Sequence, residues 1–392
     1  MRKDGPMLLV SKSMTVAAAE KLLVEVDRVP SSRARVPTRG QHHQAGGEAA
    51  ILQALVTWTQ KVEHASLATF VPDETDPDRQ QDAFTRQFFG IGAALLCDEA
   101  SALDGASIFP SLRTSALQRL EVLQSERPRD ASRGPQFEVL CADHLNRSAP
   151  RLLYDLDREA QPMLKSTESF IGLAAIIRQT IVPPELSRSI SETFDDALGA
   201  ALYELFRNTD DHARLDDAGD KLKRSLRGLQ ARRHAIAPSK LVELVEASPP
   251  LAAFCRRLKP PRAGNRDIQL IEISVLDSGP GYAAAISGKA LSDLSPDEEA
   301  EAVRQCFLKH ATSKERSRSG LGLCNVVDIL RERGGFLRLR TGRQSLYADL
   351  GLEEGAAYGT LPELQSWTTG GEEPAPASGS LMTILLPLVL DQ

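Results

Sequence analysis

The spacing of apolar side chains predicts a long helix over residues 185–208. Its apolar stripe repeats every three to four residues, at Phe194, Leu198, Leu202 and Leu205. On a neighbouring face an acid, an amide and an imidazole recur every fourth residue, at Glu204, Asn208 and His212. Polar columns of this kind are usually solvated helix faces, so this helix does not by itself identify a site.

A run of β-branched residues predicts a buried strand over residues 268–276, with Ile271, Ile273 and Val275 on one face. The strand runs into Asp277-Ser-Gly-Pro-Gly281. A carboxylate at a strand end can accept a hydrogen bond from the amino group of a ligand. The glycines that follow let the backbone come close to such a ligand.

A Gly-Leu-Gly sequence at residues 320–322 opens a predicted helix over residues 321–333, which Gly334-Gly335 ends. The free N–H groups and the positive end of a helix opening of this kind favour an anion such as phosphate. We expect strands at 336–340 and 379–387, and a flexible loop between them over residues 351–378.

In the first half of the chain, short apolar runs typical of strands alternate with the three-to-four-residue spacing typical of helices. This alternation predicts an α/β arrangement. Strands are expected at residues 7–10, 66–71 and 136–141, and helices at 16–26, 48–62, 83–98 and 116–124. Residues 30–46 are expected to form a loop, and residues 151–178 a long helical region. We find no catalytic constellation in this half.

Composition excludes several classes of protein. The chain has 392 residues, of which 42% are hydrophobic and 26% charged, as in globular proteins of two or three domains. Its net charge of −6 gives no overall basic field for nucleic acid. The five cysteines show no CxxC spacing, and no apolar run approaches the ~20 residues of a membrane span. We therefore expect a cytoplasmic protein with reduced thiols, no signal peptide and no membrane segment.

Basic residues are concentrated between residues 214 and 266, and we expect a basic helical insert there. A solvated face is the ordinary interpretation, and a face that contacts nucleic acid or phosphate is the sharper one. Phe254 is the one aromatic residue in the stretch. Nucleic acid is therefore a less favoured partner.

Taken in chain order, the motifs resemble the GHKL superfamily of ATP-binding domains, which includes gyrase B, the heat-shock chaperone, histidine kinases and MutL. Residues 204–213 are similar to the N box, residues 277–281 to the G1 box and residues 319–323 to the G2 box. Gly379-Ser380 followed by Leu386-Pro387 is similar to the G3 ending, with Ser in place of the usual Thr. The resemblance covers residues 165–392.

The resemblance implies a Bergerat-type α/β sandwich over residues 161–392, in which a mixed sheet is covered by helices. A separate N-terminal α/β domain of unknown role would occupy residues 1–160. Within the ATP-binding domain, the basic helical insert would span about 214–266. A lid that closes over the nucleotide would span about 283–318.

The resemblance also implies roles for individual residues. Asn208 would coordinate Mg²⁺, and Glu204 would activate water as a general base. Asp277, supported by Ser380, would accept from the adenine amino group. Gly279 and Gly281 would let the nucleotide approach, and Gly320 and Gly322 would cradle phosphate. Further nucleotide contacts are implied at His212, Thr312, Ser313, Lys314, Ser319, Leu321 and Leu323.

Three functions remain open at this stage. The first is a Mg²⁺-dependent ATPase that acts as a conformational switch for a protein partner or a homodimer. The second is a protein kinase that phosphorylates a partner in trans, and the third is an ATP sensor without catalysis. No phospho-accepting histidine box lies upstream, so a standard two-component histidine kinase is not expected. The lid end resembles MutL, whereas the G2 box resembles the kinases.

Overall fold

The computed structural model describes residues 6–29, 31–69, 77–125, 134–159, 161–188, 190–216, 219–241, 243, 248–260, 267–308, 322–353, 355–368 and 373–388. The described chain is a mixed α/β protein, as its two periodicities predict. It contains a four-stranded sheet, a seven-stranded sheet and a two-stranded hairpin.

The first sheet is parallel, and its strands follow chain order. The strands are β1 (Met7–Leu9), β2 (Arg33–Arg35), β3 (Ser66–Ala68) and β4 (Glu99–Ser101). The middle residues of the strands are in register and buried, at Leu8, Ala34, Leu67 and Ala100. The intervening helices are α1 (Val16–Arg28), α2 (Gly47–Lys61), α3 (Pro77–Thr85) and α4 (Phe88–Leu96), and α5 (Phe109–Leu123) follows β4.

The second sheet carries Asp277 and Ser380 of the predicted site. Its strands are β5 (Gln136–Ala142), β8 (Leu226–Ile236), β9 (Ile268–Asp277), β10 (Phe336–Gly342), β11 (Gln344–Asp349), β12 (Gln365–Ser366) and β13 (Ala377–Pro387). Their order across the sheet is β12-β11-β10-β13-β9-β8-β5. The hairpin consists of β6 (Tyr154–Leu156) and β7 (Pro162–Leu164).

Helices cover both faces of the seven-stranded sheet. The helices of the second half are α6 (Thr167–Ile181), α7 (Pro184–Ser187), α8 (Glu192–His212), α9 (Pro249–Arg257), α10 (Tyr282–Ser287), α11 (Pro296–Gln305) and α12 (Gly322–Glu332). Helices α6, α8 and α12 share one hydrophobic core with Ile271, Ile273 and Val275, as the strand pattern predicts. The other face meets the helices of the first half, and Leu276 and Leu381 belong to that second core.

Two expectations about the fold are corrected. Every strand pair of the seven-stranded sheet in the described chain is antiparallel, whereas a mixed sheet was expected. The hydrophobic pattern of a strand does not encode the direction of its neighbour, so the sequence could not decide this. The expected separate domain over residues 1–160 is also not separate, because β5 pairs with β8 inside the second sheet.

Helix α2 joins the two halves. Residues 47–59 of this helix are buried, so it has no solvated face. Gln53 Nε2 donates to the carbonyl of Arg340 at 3.0 Å, and Gln60 Nε2 donates to the carbonyl of Ser278 at 2.9 Å. Because buried polar groups are costly when they are left unpaired, these contacts fix α2 against the sheet.

The expected basic helical insert is partly a strand. Residues 226–236 form β8 inside the sheet, and the described helical residues of the stretch, 240, 241, 243 and those of α9, follow it. Arg227 is fully buried and contacts Asp143, and Arg232 contacts the buried Glu48 of α2. These arginines neutralise internal carboxylates instead of forming a charged face. Because arginines occupy buried positions of this strand, its sequence lacks the alternation of apolar and polar residues that would predict a strand.

The first part of the expected lid is packed against the protein. Val303 and Phe307 are buried in the hydrophobic core that α12 shares, and Glu299 is buried against Arg343, with Nε and Oε2 2.7 Å apart. Residues 309–318 of the expected lid lie outside the described residues. The described helices are all too short or too polar to cross a membrane.

Glu20 of α1 contacts two buried arginines of β10. Its Oε1 lies 2.9 Å from Nη2 of Arg338 and 3.0 Å from Nε of Arg340, whose side chains are 3% and 1% exposed. Burial lowers the pKa of Arg338 to about 10, and Glu20 opposes that shift. The carboxylate therefore supplies the charge that allows two guanidinium groups to be buried.

We expect Glu20→Ala to lower the free energy of unfolding by about 3–5 kcal/mol, because it leaves two buried cations uncompensated. Glu25→Ala, at an exposed position on the same helix, is the matched control, and we expect it to change stability by less than about 0.5 kcal/mol. Urea unfolding of both variants measures the difference. Equal unfolding midpoints would contradict a stabilising role for Glu20.

Candidate functional site

Helix α8 brings the predicted polar column to the sheet. The helix begins after Ser191, whose hydroxyl accepts from Thr193 N–H, and its predicted apolar stripe is buried. Near its end, Asp210 accepts from Arg227 Nη1 at 3.2 Å and from the hydroxyl of Tyr154 at 2.6 Å. Arg227 lies directly across from Asp277 in the strand register. A buried arginine therefore ties the last turn of α8 to the end of β9.

The column meets the start of helix α12 at Gly322. A Cβ atom at position 322 would lie 3.6 Å from Oε2 of Glu204 and 3.7 Å from Oδ1 of Asn208. A carboxylate and an amide oxygen thus face the first described residue of a helix that packs against α8. Carboxylate and amide oxygens are the ligands that Mg²⁺ accepts in proteins, and helix starts favour phosphate.

Burial raises the pKa of Glu204, although Arg207 and a hydrogen bond from Asn325 oppose the shift. Asn325 Nδ2 donates to Glu204 Oε1 at 3.4 Å, and Asn325 Oδ1 accepts from the hydroxyl of Tyr358 at 2.5 Å. The amide thereby orients the carboxylate from the α12 side. A partly buried carboxylate with a raised pKa is typical of a general base.

Asp277 lies at the end of β9 in the middle of the sheet. Its Oδ1 accepts from Gly279 N–H at 2.8 Å, and its Oδ2 accepts from the hydroxyl of Ser380 on β13. Burial raises the pKa of Asp277, and the hydrogen bonds from Ser380 and Gly279 oppose this. Each oxygen keeps acceptor capacity for a ligand donor.

The glycines after Asp277 are required by close backbone packing. A Cβ at Gly279 would lie 2.6 Å from the Cα of Ala213, just beyond α8. Gly281 has a φ of +84°, and a Cβ there would lie 2.6 Å from the hydroxyl of Thr341. These glycines hold the loop against α8 and β10, which is a structural role apart from any ligand approach.

Tyr282 links the separate motifs. Its hydroxyl interacts with the side chains of Asn208 and Ser380, and both interactions oppose the burial that raises the pKa of Tyr282. Ser380 in turn donates to Asp277. A continuous chain of polar contacts therefore joins α8, the start of α10 and the two central strands.

Not every predicted residue reaches this cluster. His212 is exposed and lines a different cleft of about 820 Å³, together with Lys221 and Lys289. Leu323 is buried in the core between α12 and the sheet, so its side chain packs against protein. The remaining predicted contacts lie outside the described residues: Thr312, Ser313, Lys314, Ser319, Gly320 and Leu321.

Sequence reasoning missed four residues around the cluster: Arg227, Tyr282, Asn325 and Tyr358. Each acts through a contact that is remote in sequence, such as that between Asn325 and Glu204. Asn325 lies three residues beyond Gly322, on the adjacent helical turn. That helical spacing was the one feature of the sequence that could have indicated Asn325 as a site residue.

No protein-family model, no curated protein and no solved structure matches this chain. The site is therefore characterised by its own geometry. Within the described residues, no three His, Cys, Asp or Glu side chains converge as a ready-made metal cage. A Mg²⁺ ion usually takes one or two protein ligands and completes its shell with phosphate and water, so its binding does not require such a cage.

We expect Gly279→Ala to cost about 1–3 kcal/mol of stability, because its methyl group would press on the backbone of Ala213. Gly172→Ala is the matched control on helix α6, where a Cβ meets nothing within 4 Å. The control should stabilise the protein by up to ~1 kcal/mol, because alanine favours helix. If urea unfolding shows equal stability for the two variants, the loop does not pack as described.

Proposed function

We propose that the protein binds ATP with Mg²⁺ and hydrolyses it, with a GHKL-type domain of Bergerat architecture built on α8, β9, α12 and β13. The observation that carries the proposal is the meeting of Glu204, Asn208 and Gly322 at the start of α12. These residues come from two motifs that are 114 positions apart at Asn208 and Gly322, and a shared ligand explains their proximity.

Adenine recognition is proposed for Asp277. The hydroxyl of Ser380 and the N–H of Gly279 hold its carboxylate in one orientation, so its remaining acceptor capacity points in a fixed direction. An acceptor at this position suits the exocyclic amino group of adenine. Guanine presents a carbonyl there, which the carboxylate would repel.

Phosphate binding is proposed for the other end of the site. The start of α12 would receive the phosphates, and Asn208 would supply the side-chain oxygen that coordinates Mg²⁺. When it is bound, Mg²⁺ would neutralise phosphate charge during transfer. Tyr282, whose hydroxyl interacts with the side chains of Asn208 and Ser380, would connect the adenine and phosphate ends.

Hydrolysis is proposed to use Glu204 as the base that orients and deprotonates water. Its raised pKa and its hydrogen bond from Asn325 suit this role, and a positioned base contributes about 10²–10⁴-fold in rate. Binding and loss of phosphate at the start of α12 would alter the contact between α8 and α12. We propose that this change acts as a switch toward a protein partner or a second copy of the chain.

We expect Glu204→Gln to lower the rate of ATP hydrolysis at least 100-fold and to leave the affinity for Mg·ATP within about threefold, because the amide cannot take a proton. Asp196→Asn, at an exposed position on the same helix, should change neither quantity. ATP labelled on the γ-phosphate, followed as free phosphate and as label on protein, measures the outcome. Hydrolysis that survives in Glu204→Gln would contradict the base assignment.

The same assay separates the alternatives. Label transferred to protein would indicate a kinase, and binding without either product would indicate a sensor. For a hydrolase, the wild-type rate should fall as pH drops through the raised pKa of Glu204. That loss would begin at a higher pH than for an ordinary glutamate.

We expect Asp277→Asn to weaken ATP binding by about tenfold or more, because one orientation of the amide places a donor against the adenine amino group. GTP provides the matched ligand control. The wild type should prefer ATP over GTP, and Asp277→Asn should lose that preference. Calorimetric titration of both nucleotides measures it, and an unchanged preference would contradict the adenine assignment.

A further inference from the structure

A second cavity, of about 680 Å³, lies in the first half of the protein at the carboxyl edge of the parallel sheet. Segments that follow all four strands line it, namely Val10 after β1, Val36 after β2, Thr69 after β3 and Leu103 after β4. Ligands of α/β proteins bind outside the carboxyl ends of parallel strands. A cavity of this size accommodates a small organic molecule.

The strand order of this sheet runs straight from β1 to β4, so no reversal of order opens a crevice between the strands. Instead, the loop after β2 and the helix α3 form the walls. Pro37 and Thr38 contribute from the loop, and Gln80 and Ala83 contribute from the helix. The cavity is therefore a feature built by loop and helix.

Cationic side chains line the cavity. Four cationic residues contribute to its wall, Lys12, Arg35, Arg39 and Arg79, and the described lining includes no carboxylate. Lys12, Arg35 and Arg39 form no ion pair with another described residue, whereas Arg224, Arg227 and Arg232 elsewhere each contact an acid. Four positive charges at one cavity favour an anion, and guanidinium groups match the oxygens of phosphate.

An independent observation concerns Thr69. Its side chain is 1% exposed and lines the same cavity, yet its hydroxyl has no hydrogen-bond partner among the described residues. A buried hydroxyl without a partner costs about 1–3 kcal/mol, and a ligand oxygen at this position would remove that cost. The apolar wall formed by Val10, Val36 and Leu103 would cover a carbon skeleton.

We propose that this cavity binds a phosphate ester of a small organic molecule. Arg35, Arg39 and Lys12 bind the phosphate group, Thr69 donates a hydrogen bond to it, and the apolar wall holds the organic part. The site lies apart from the cluster around Glu204 and does not depend on its function. The first half of the chain is thus a ligand-binding unit that shares a buried interface with the second sheet.

Calorimetric titration of the full chain with phenyl phosphate tests the proposal, with inorganic phosphate and phenol as partial ligands. Phenyl phosphate should bind at least tenfold more tightly than either partial ligand, because only it uses both the cations and the apolar wall. No binding at millimolar concentration would overturn the proposal. Equal binding of inorganic phosphate would exclude an ester, and equal binding of phenol would exclude an anion.

Variants assign any binding to this cavity. Arg35→Ala and Arg39→Ala should each weaken phenyl phosphate binding about tenfold, while Arg28→Ala, at an exposed position at the end of α1, should not change it. Thr69→Val should weaken binding by about tenfold and leave the melting temperature of the free protein unchanged or higher, because it removes an unpartnered hydroxyl. Equal affinity in Arg35→Ala and Arg28→Ala would overturn the assignment.

Discussion

Helix α2 presents a line of polar side chains to a sheet face that is itself polar and buried. Glu48 contacts Arg232 of β8, Gln53 donates to the backbone of β10, and Thr57 Oγ1 accepts from Ser378 N–H at 2.9 Å. Burial opposes ionisation of Glu48, but His43 and Arg232 outweigh it and lower the pKa of Glu48. Since each of these groups has a partner across the interface, the two halves position each other.

This interface also holds the backbone next to the candidate site in place. Gln60 of α2 donates to the carbonyl of Ser278, the residue that follows Asp277. The Ser278 hydroxyl exchanges hydrogen bonds with the backbone of Leu226 at 2.9 and 3.0 Å. The loop that carries the proposed adenine contact is thus held by α2 and by β8. A site supported in this way can be precise, because its backbone is fixed before a ligand arrives.

Elements with regular apolar patterns were predictable from the sequence. The stripe of α8 and the inner face of β9 are buried as expected, and the glycines at 279 and 281 occupy positions that exclude a side chain. Strand β8 was not predictable, because its buried Arg227 and Arg232 form ion pairs with carboxylates that are distant in sequence. Strand β2 was missed because it has only three residues, of which Ala34 alone is buried.

The site was predictable only where its residues belong to one local pattern of the sequence. Glu204 and Asn208 stand out because a helix places them in one column, whereas Tyr282 and Asn325 gain their importance from contacts across the fold. The polar interface with α1 and α2 could not be foreseen, since Glu20 and Glu48 resemble ordinary charged residues of surface helices. A buried ion pair requires knowledge of both partners, and the pattern of one segment shows only one of them.

We propose that α8, the end of β9 and the start of α12 form one nucleotide site that α2 supports. Hydrogen exchange of the full chain, measured by mass spectrometry with and without Mg·ATP, is the test of this proposal. We expect slower exchange on ATP addition around residues 204–212, 277–282 and 322–326, and also in the last turns of α2. Unchanged exchange in all of these segments at saturating Mg·ATP would contradict the claim.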